Sequence, residues 1–300
     1  MLEETKIFRR ATLASIITSS YPMIVVGCYF GITPWNMNRL SIDESDLSFS
    51  ILIFGIFFVL SNQIAGRILV PKYGTKIVMS LAFPLITFST LLSIISPSYF
   101  YFLLTFIPAG IGWGASGPIG GIHCQLIEKH FKKIITPYYA MGFNIGILVG
   151  GGLAGIIMRY SFEPFMFFLV LSFSSILVAL LVLHLGLPSN LDFKGKGEKF
   201  KIPESNVLIF GFLLFFVFGS GGIIMDWSTL WLSKDLNAPL YLASMGLIFF
   251  SIGGILANLF SNSLIDLFTE KVVGCHFVMI GASIMLLSLL TNNFYIILVV

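Results

Sequence analysis

Nine stretches of this 300-residue chain each run for about twenty residues or more with almost no charge. They cover residues 11–33, 48–70, 76–96, 99–123, 136–158, 163–186, 206–232, 240–263 and 272–291, and a tenth begins at the terminal "NFYIILVV". About 20 apolar residues in a helix cross the hydrocarbon core of a bilayer. The runs are continuous rather than alternating, so they predict helices and not the strands of a membrane barrel. Hydrophobic residues make up 57% of the chain and charged residues 10%. A soluble domain carries about 25% charge, and no soluble core of this size could hide so much apolar surface. The expected fold class is therefore an all-α membrane protein with about nine full transmembrane helices and the start of a tenth. The opening "MLEETKIFRR" imitates the charged start of a signal peptide, but no clear small-residue cleavage site follows, so the first run is read as a retained helix.

Charge orients these helices. With the N-terminus in the cytoplasm, fourteen of the 17 Lys and Arg residues fall on the cytoplasmic side. Only Arg39, Arg159 and Lys234 fall outside. This is the bias of the positive-inside rule, and it predicts a multi-pass inner (plasma) membrane protein with a cytoplasmic N-terminus. The net charge of +3 gives no reason to expect nucleic acid as a partner. Cys28, Cys124 and Cys275 lie far apart in apolar runs and are read as free thiols. No metal-ligand cluster, nucleophile constellation or phosphate-binding G-x-x-x-x-G-K-[ST] appears, so neither an enzyme, a metal, a cofactor nor ATP drive is expected.

One long polar interruption, "PSNLDFKGKGEKFKIPES", follows the sixth run. It divides the chain into a six-helix bundle at 1–187, a cytoplasmic linker at 188–205 and a partial second bundle at 206–300. The two parts share a pattern. "VGCYFGITPWNMNRLS" lies over "FGSGGIIMDWSTLWLS" at an offset of 192 residues, aligning Gly27 with Gly219 and Trp35 with Trp227. "RILVPKYGTK" and "NSLIDLFTEK" then occupy corresponding turns. Internal repeats of this kind belong to transporter architectures.

These residues resemble the major facilitator superfamily of secondary transporters. Its turn between spans 2 and 3 reads G-x-L-x-D-R-x-G-R-R/K. Here the first copy keeps Leu69, Lys72, Gly74 and Lys76, with Arg67 at the first Gly position and Pro71 at the Asp position. The second copy keeps Leu264, Asp266 and Lys271. The resemblance implies a two-bundle fold and a conformational latch at the cytoplasmic face, built from Arg67, Lys72, Gly74, Lys76, Glu128, Asp266 and Lys271. Glu128 is expected to meet Lys72 or Lys76. The stretch "MDWSTLWL" also resembles fucose-permease-like bacterial members. With three spans of a twelve-helix architecture missing, the resemblance further implies a chain incomplete at its C-terminus.

A carrier needs polar groups at a cavity between its halves, and ionisable residues inside the membrane are the first candidates. Asp226 is read either as an interfacial acid or as a ligand contact and proton carrier. Trp35, Asn36 and Arg39 hold the matching place on the first span, as a solute site or as outer-face anchors. Asn144 and Trp227 complete the candidate set. Gly142, Gly146 and Gly150 recur every four residues on span 5, a spacing that serves tight helix packing. His123 is read as a hydrogen-bonded helix residue rather than a proton relay. The expected function is secondary transport of a small polar solute, sugar-like or another metabolite, by alternating access, with protons as the coupling ion the resemblance implies and a monomer as the working unit. A membrane sensor or assembly partner of the same fold, and an exporter of small amphipathic compounds, are the alternatives.

Overall fold

The computed structural model describes residues 2–193, 195, 204–269, 272–288, 290–291 and 293–299. The middle of the linker, with Lys194, Lys196, Lys199 and Lys201, and the proposed gate residue Lys271 lie outside the described residues. All regular structure among the described residues is helical.

Helix α1 (Leu2–Gly31) is followed by the short α2 (Thr33–Leu40), which Pro34 opens. Asp43 caps α3 (Glu44–Ile64), accepting from the Asp46 N–H at 2.9 Å. A π-helical turn (Ala65–Leu69) and α4 (Val70–Tyr73) carry the same rod onward. The basic turn expected at Gly66–Lys76 is thus mostly helix, and the reversal is confined to Gly74 at φ 85°. Then come α5 (Thr75–Ile95), α6 (Tyr99–Phe131), α7 (Thr136–Arg159) and α8 (Pro164–Leu185). Beyond the linker lie α9 (Ser205–Lys234), α10 (Leu240–Ala243), α11 (Met245–Phe268), a π turn (Val273–Phe277), α12 (Val278–Ser288) and α13 (Phe294–Val299).

Among the described residues, 8 helices are long and apolar enough to cross a membrane, one fewer than expected. The ninth run, 272–291, contributes a shorter apolar helix, Val273–Leu286. A helix of that length reaches about 21 Å, short of a hydrocarbon core about 30 Å thick.

Small residues decide which helices meet. A Cβ added to Gly146 or Gly150 on α7 would overlap the carbonyl oxygens of Ser20 and Ile24 on α1. On a neighbouring face of α7, a Cβ on Gly151 would lie 3.4 Å from Leu247 Cβ on α11. So α7 is clasped between the first bundle and the second. On α6, Gly114 meets the α3 backbone at Phe58, while Gly112 meets Ile86 on α5. Side chains such as Leu81, Val170 and Leu177 point outward and are more than half exposed, at 67%, 68% and 64%. That is the surface a bilayer solvates.

Candidate functional site

A cavity of about 280 Å³ lies where the first bundle meets α9. Met23, Val26, Tyr29 and Phe30 of α1 form one wall, and Ile51 and Phe54 of α3 another. Helix α6 adds Thr105, Phe106, Ala109 and Trp113, and α5 adds Ser89, Thr90 and Ser93. Gly222, Met225 and Asp226 face it from α9. The walls are therefore aromatic, aliphatic and thioether surface with one carboxylate.

The hydroxyls in these walls are largely occupied. Ser89 donates to the Ile86 carbonyl at 2.7 Å, Thr90 to the Thr87 carbonyl at 2.7 Å, and Thr105 to the Phe102 carbonyl at 2.6 Å. Ser93 pairs with the Tyr29 hydroxyl at 2.8 Å. Asp226, by contrast, forms no hydrogen bond or ion pair among the described residues, and it is the one charged side chain in the lining. It is part-buried and faces the cavity.

Of the six residues proposed from sequence as a solute site, Asp226 lines this cavity and the other five do not. Arg39 donates to Asn36 Oδ1 at 3.1 and 2.9 Å, to the Ser96 carbonyl at 2.7 Å and to the Ser93 carbonyl at 3.2 Å. It caps the C-terminal end of α5, where a cation complements the orphan carbonyls and the helix dipole. Its guanidinium also lies 5.7 Å from the Trp35 ring. Trp35, Asn36 and Arg39 therefore anchor α2 to α5. Trp227 packs beside Leu230, Met37 and Phe102. Asn144 donates to the Ala140 carbonyl at 3.1 Å and sits against Gly254 of α11. The sequence reading passed over Trp113, although a tryptophan flanked by glycines in mid-span, away from both interfacial belts, is the available signal.

At the end of the helices near Gly74, Glu128 does not meet Lys72 or Lys76. It accepts from the Ile135 N–H at 2.6 Å, the Thr136 N–H at 2.7 Å and the Thr136 hydroxyl at 2.9 Å, filling the capping role at the start of α7. The correction has a physical reason: three donors from a helix start outbid a mobile lysine in water. Lys72 instead lies 5.0 Å from the Tyr73 ring. The residue that does meet the turn is Asp192, from the start of the linker. It accepts from the Thr75 N–H at 3.0 Å, the Thr75 hydroxyl at 2.6 Å and the Lys76 N–H at 3.3 Å. Thr75 Oγ1 also lies 2.7 Å from His123 Nδ1. The single Thr75 proton goes to Asp192, so the imidazole Nδ1 is the donor in that bond. Arg67 is part-buried in the π turn, and Asp266 is exposed near the end of α11.

At the opposite end of the helices, further contacts join α9 and α10 to the preceding helices. Lys234 of α9 pairs with Glu44 at the start of α3. Arg159 of α7 lies 5.9 Å from the Tyr241 ring of α10. Leu230 of α9 is buried among Met37, Ile42, Leu47 and Phe102.

Comparison with known proteins bears on this arrangement. The family model described as Major Facilitator Superfamily matches residues 12–300. An uncharacterized MFS-type transporter of Yersinia pestis is 22% identical over 240 residues, covering 78% of this chain and 61% of the relative. The chain thus spans less than two thirds of that relative's length. Among solved structures, a bacterial homolog of the human lysosomal transporter Spinster, in an inward-facing and unoccupied conformation, superposes with a TM-score of 0.66. That match has 14% identity and covers 97% of this chain and 70% of the other. A family match running over nearly the whole sequence, on a fold that a solved transporter shares, places the chain in the Major Facilitator Superfamily, a family of membrane transporters and not of enzymes.

Proposed function

We propose that the protein is a secondary carrier of a bacterial inner membrane, with its N-terminus in the cytoplasm, that moves a small solute by alternating access through the cavity beside Asp226. The observation that carries this reading is a cavity walled by both bundles whose one carboxylate has no partner among the described residues. The bundles at 1–187 and 206–300 are the moving bodies, joined by the 188–205 linker. The outer-end contacts of Glu44, Arg159 and Leu230 support a state closed to the outside. The inward-facing conformation of the solved neighbour agrees with that state.

The turn at Gly74 with Asp192, Lys72, Lys76 and Arg67 serves as the cytoplasmic gate, opposite Asp266 and Lys271. Asp226 is the group that holds a proton when no solute neutralises it, which makes protons the coupling ion. A sugar-like solute, as in the fucose-permease-like relatives the stretch Met225–Leu232 resembles, would need free donors and acceptors. Most of the wall hydroxyl protons are spent within the protein instead, and the rest of the wall is apolar. The lining therefore favours the amphipathic alternative over the polar metabolite. Counterflow in proteoliposomes tests the proposal. Solute exchange that Asp226→Asn lowers at least about tenfold supports it. Saturable binding with no flux in either direction would overturn it in favour of a sensor.

A further inference from the structure

We propose that the solute is a lipophilic monocation, a quaternary or protonated amine bonded to an aromatic body. The inference rests on the cavity being the solute site and names what that site selects.

Among the described residues, the cavity has one carboxylate and no lining cation. An anion would find no cationic partner in the described lining, and its binding would leave Asp226 unable to give up its proton. The nearby cation, Arg39, has its donors committed to Asn36 and to the carbonyls of Ser93 and Ser96. A divalent metal is no better served, since it would need six or more oxygen ligands, and one carboxylate among apolar walls does not supply them. A neutral polar solute finds most wall hydroxyl protons committed, and beyond Asp226 and a few hydroxyl lone pairs the walls offer it apolar surface.

A cation with an apolar body fits every term. Its charge compensates Asp226 in a poorly solvated site, where the Coulomb attraction is strongest. Its body lies against aromatic faces that themselves attract cations. Phe30, Trp113 and Met225 share one hydrophobic cluster, and all three line the same cavity as Asp226, so ring surface and carboxylate border one space. Met23 and Met225 add soft, adaptable walls that accommodate bodies of differing shape.

Phenyltrimethylammonium and its uncharged isostere tert-butylbenzene separate charge from shape. Equilibrium dialysis with the full chain in lipid nanodiscs gives the affinity of each. Nanodiscs without protein correct for partition into lipid. The expected result is that the cation binds at least roughly tenfold more tightly than the isostere. Asp226→Asn should remove that preference while leaving the isostere bound, which shows that the variant is folded. Asp226→Glu should restore part of it, and Trp113→Leu should weaken the cation several-fold. Equal affinity for cation and isostere, a preference that survives Asp226→Asn, or no saturable binding of the cation would each overturn the assignment. The carrier reading fails separately, if the cation binds as expected but is not exchanged across proteoliposomes.

Discussion

Gly74 shows how much one residue settles at the turn between α4 and α5. Its φ of 85° is open to glycine and strained for any other side chain, and a Cβ there would lie 2.5 Å from Asp192 Oδ2. Gly74→Ala is expected to cost about 1–3 kcal/mol for the backbone alone and more through the displaced carboxylate. Thermal unfolding in detergent checks this. In an Asp192→Ala background the same change should cost less, because the clash is gone, so the two effects should not add. Glu128→Ala is expected to destabilise by about 1–2 kcal/mol by baring the Ile135 and Thr136 N–H groups, whereas Lys72→Ala should change the melting temperature little. The sequence makes Gly74 visible as a turn residue. It does not reveal Asp192, because a carboxylate 117 positions away from Thr75 becomes a partner only when the helices pack. Glu128 was misassigned for a related reason: charge complementarity proposes a lysine, while the open end of a neighbouring helix offers better-placed donors.

At the scale of elements, the helices were the most legible feature, since a bilayer fixes both their length and their composition. Span 2 is the instructive exception. Pro71 and two glycines read as a loop, yet the rod runs to Tyr73 through a π-helical turn. That turn absorbs the missing proline donor, a local adjustment that residue type alone does not announce. The glycine spacing on α7 was readable as packing, but its partner was not. Gly146→Leu should therefore prise α1 from α7 and sharply lower the yield of folded protein. Gly152→Leu, where an added Cβ meets nothing within 4 Å, should stay within about 0.5 kcal/mol of the parent. Size-exclusion profiles and melting temperatures of the pair check the contrast. Equal behaviour would mean that the glycine face does not set the α1–α7 contact.

For the whole molecule, the claim is that two bundles enclose one cavity and close it at one end at a time. The Glu44–Lys234 pair is solvent-exposed, at 52% and 40%, and such pairs contribute about 0.2–1 kcal/mol. Glu44→Gln should therefore barely change stability. A disulfide between Glu44→Cys and Lys234→Cys should nevertheless stop exchange and release it on reduction, because it holds the outer end shut. The linker and the repeat propose a division into bundles, but nothing in the sequence announces the cavity. Its walls come from five helices, and the residues that line it are ordinary apolar ones whose role depends on where the helices cross. The most direct test is side-specific labelling of a single cysteine at Ala109, a part-exposed position on the cavity wall, in a chain with Cys28, Cys124 and Cys275 replaced by serine. A membrane-impermeant thiol reagent should modify it from the cytoplasmic face in inverted vesicles and fail to do so from the outer face while the Glu44–Lys234 end is cross-linked. Equal labelling from both faces under that cross-link, or protection from the cytoplasmic face alone, would contradict the account.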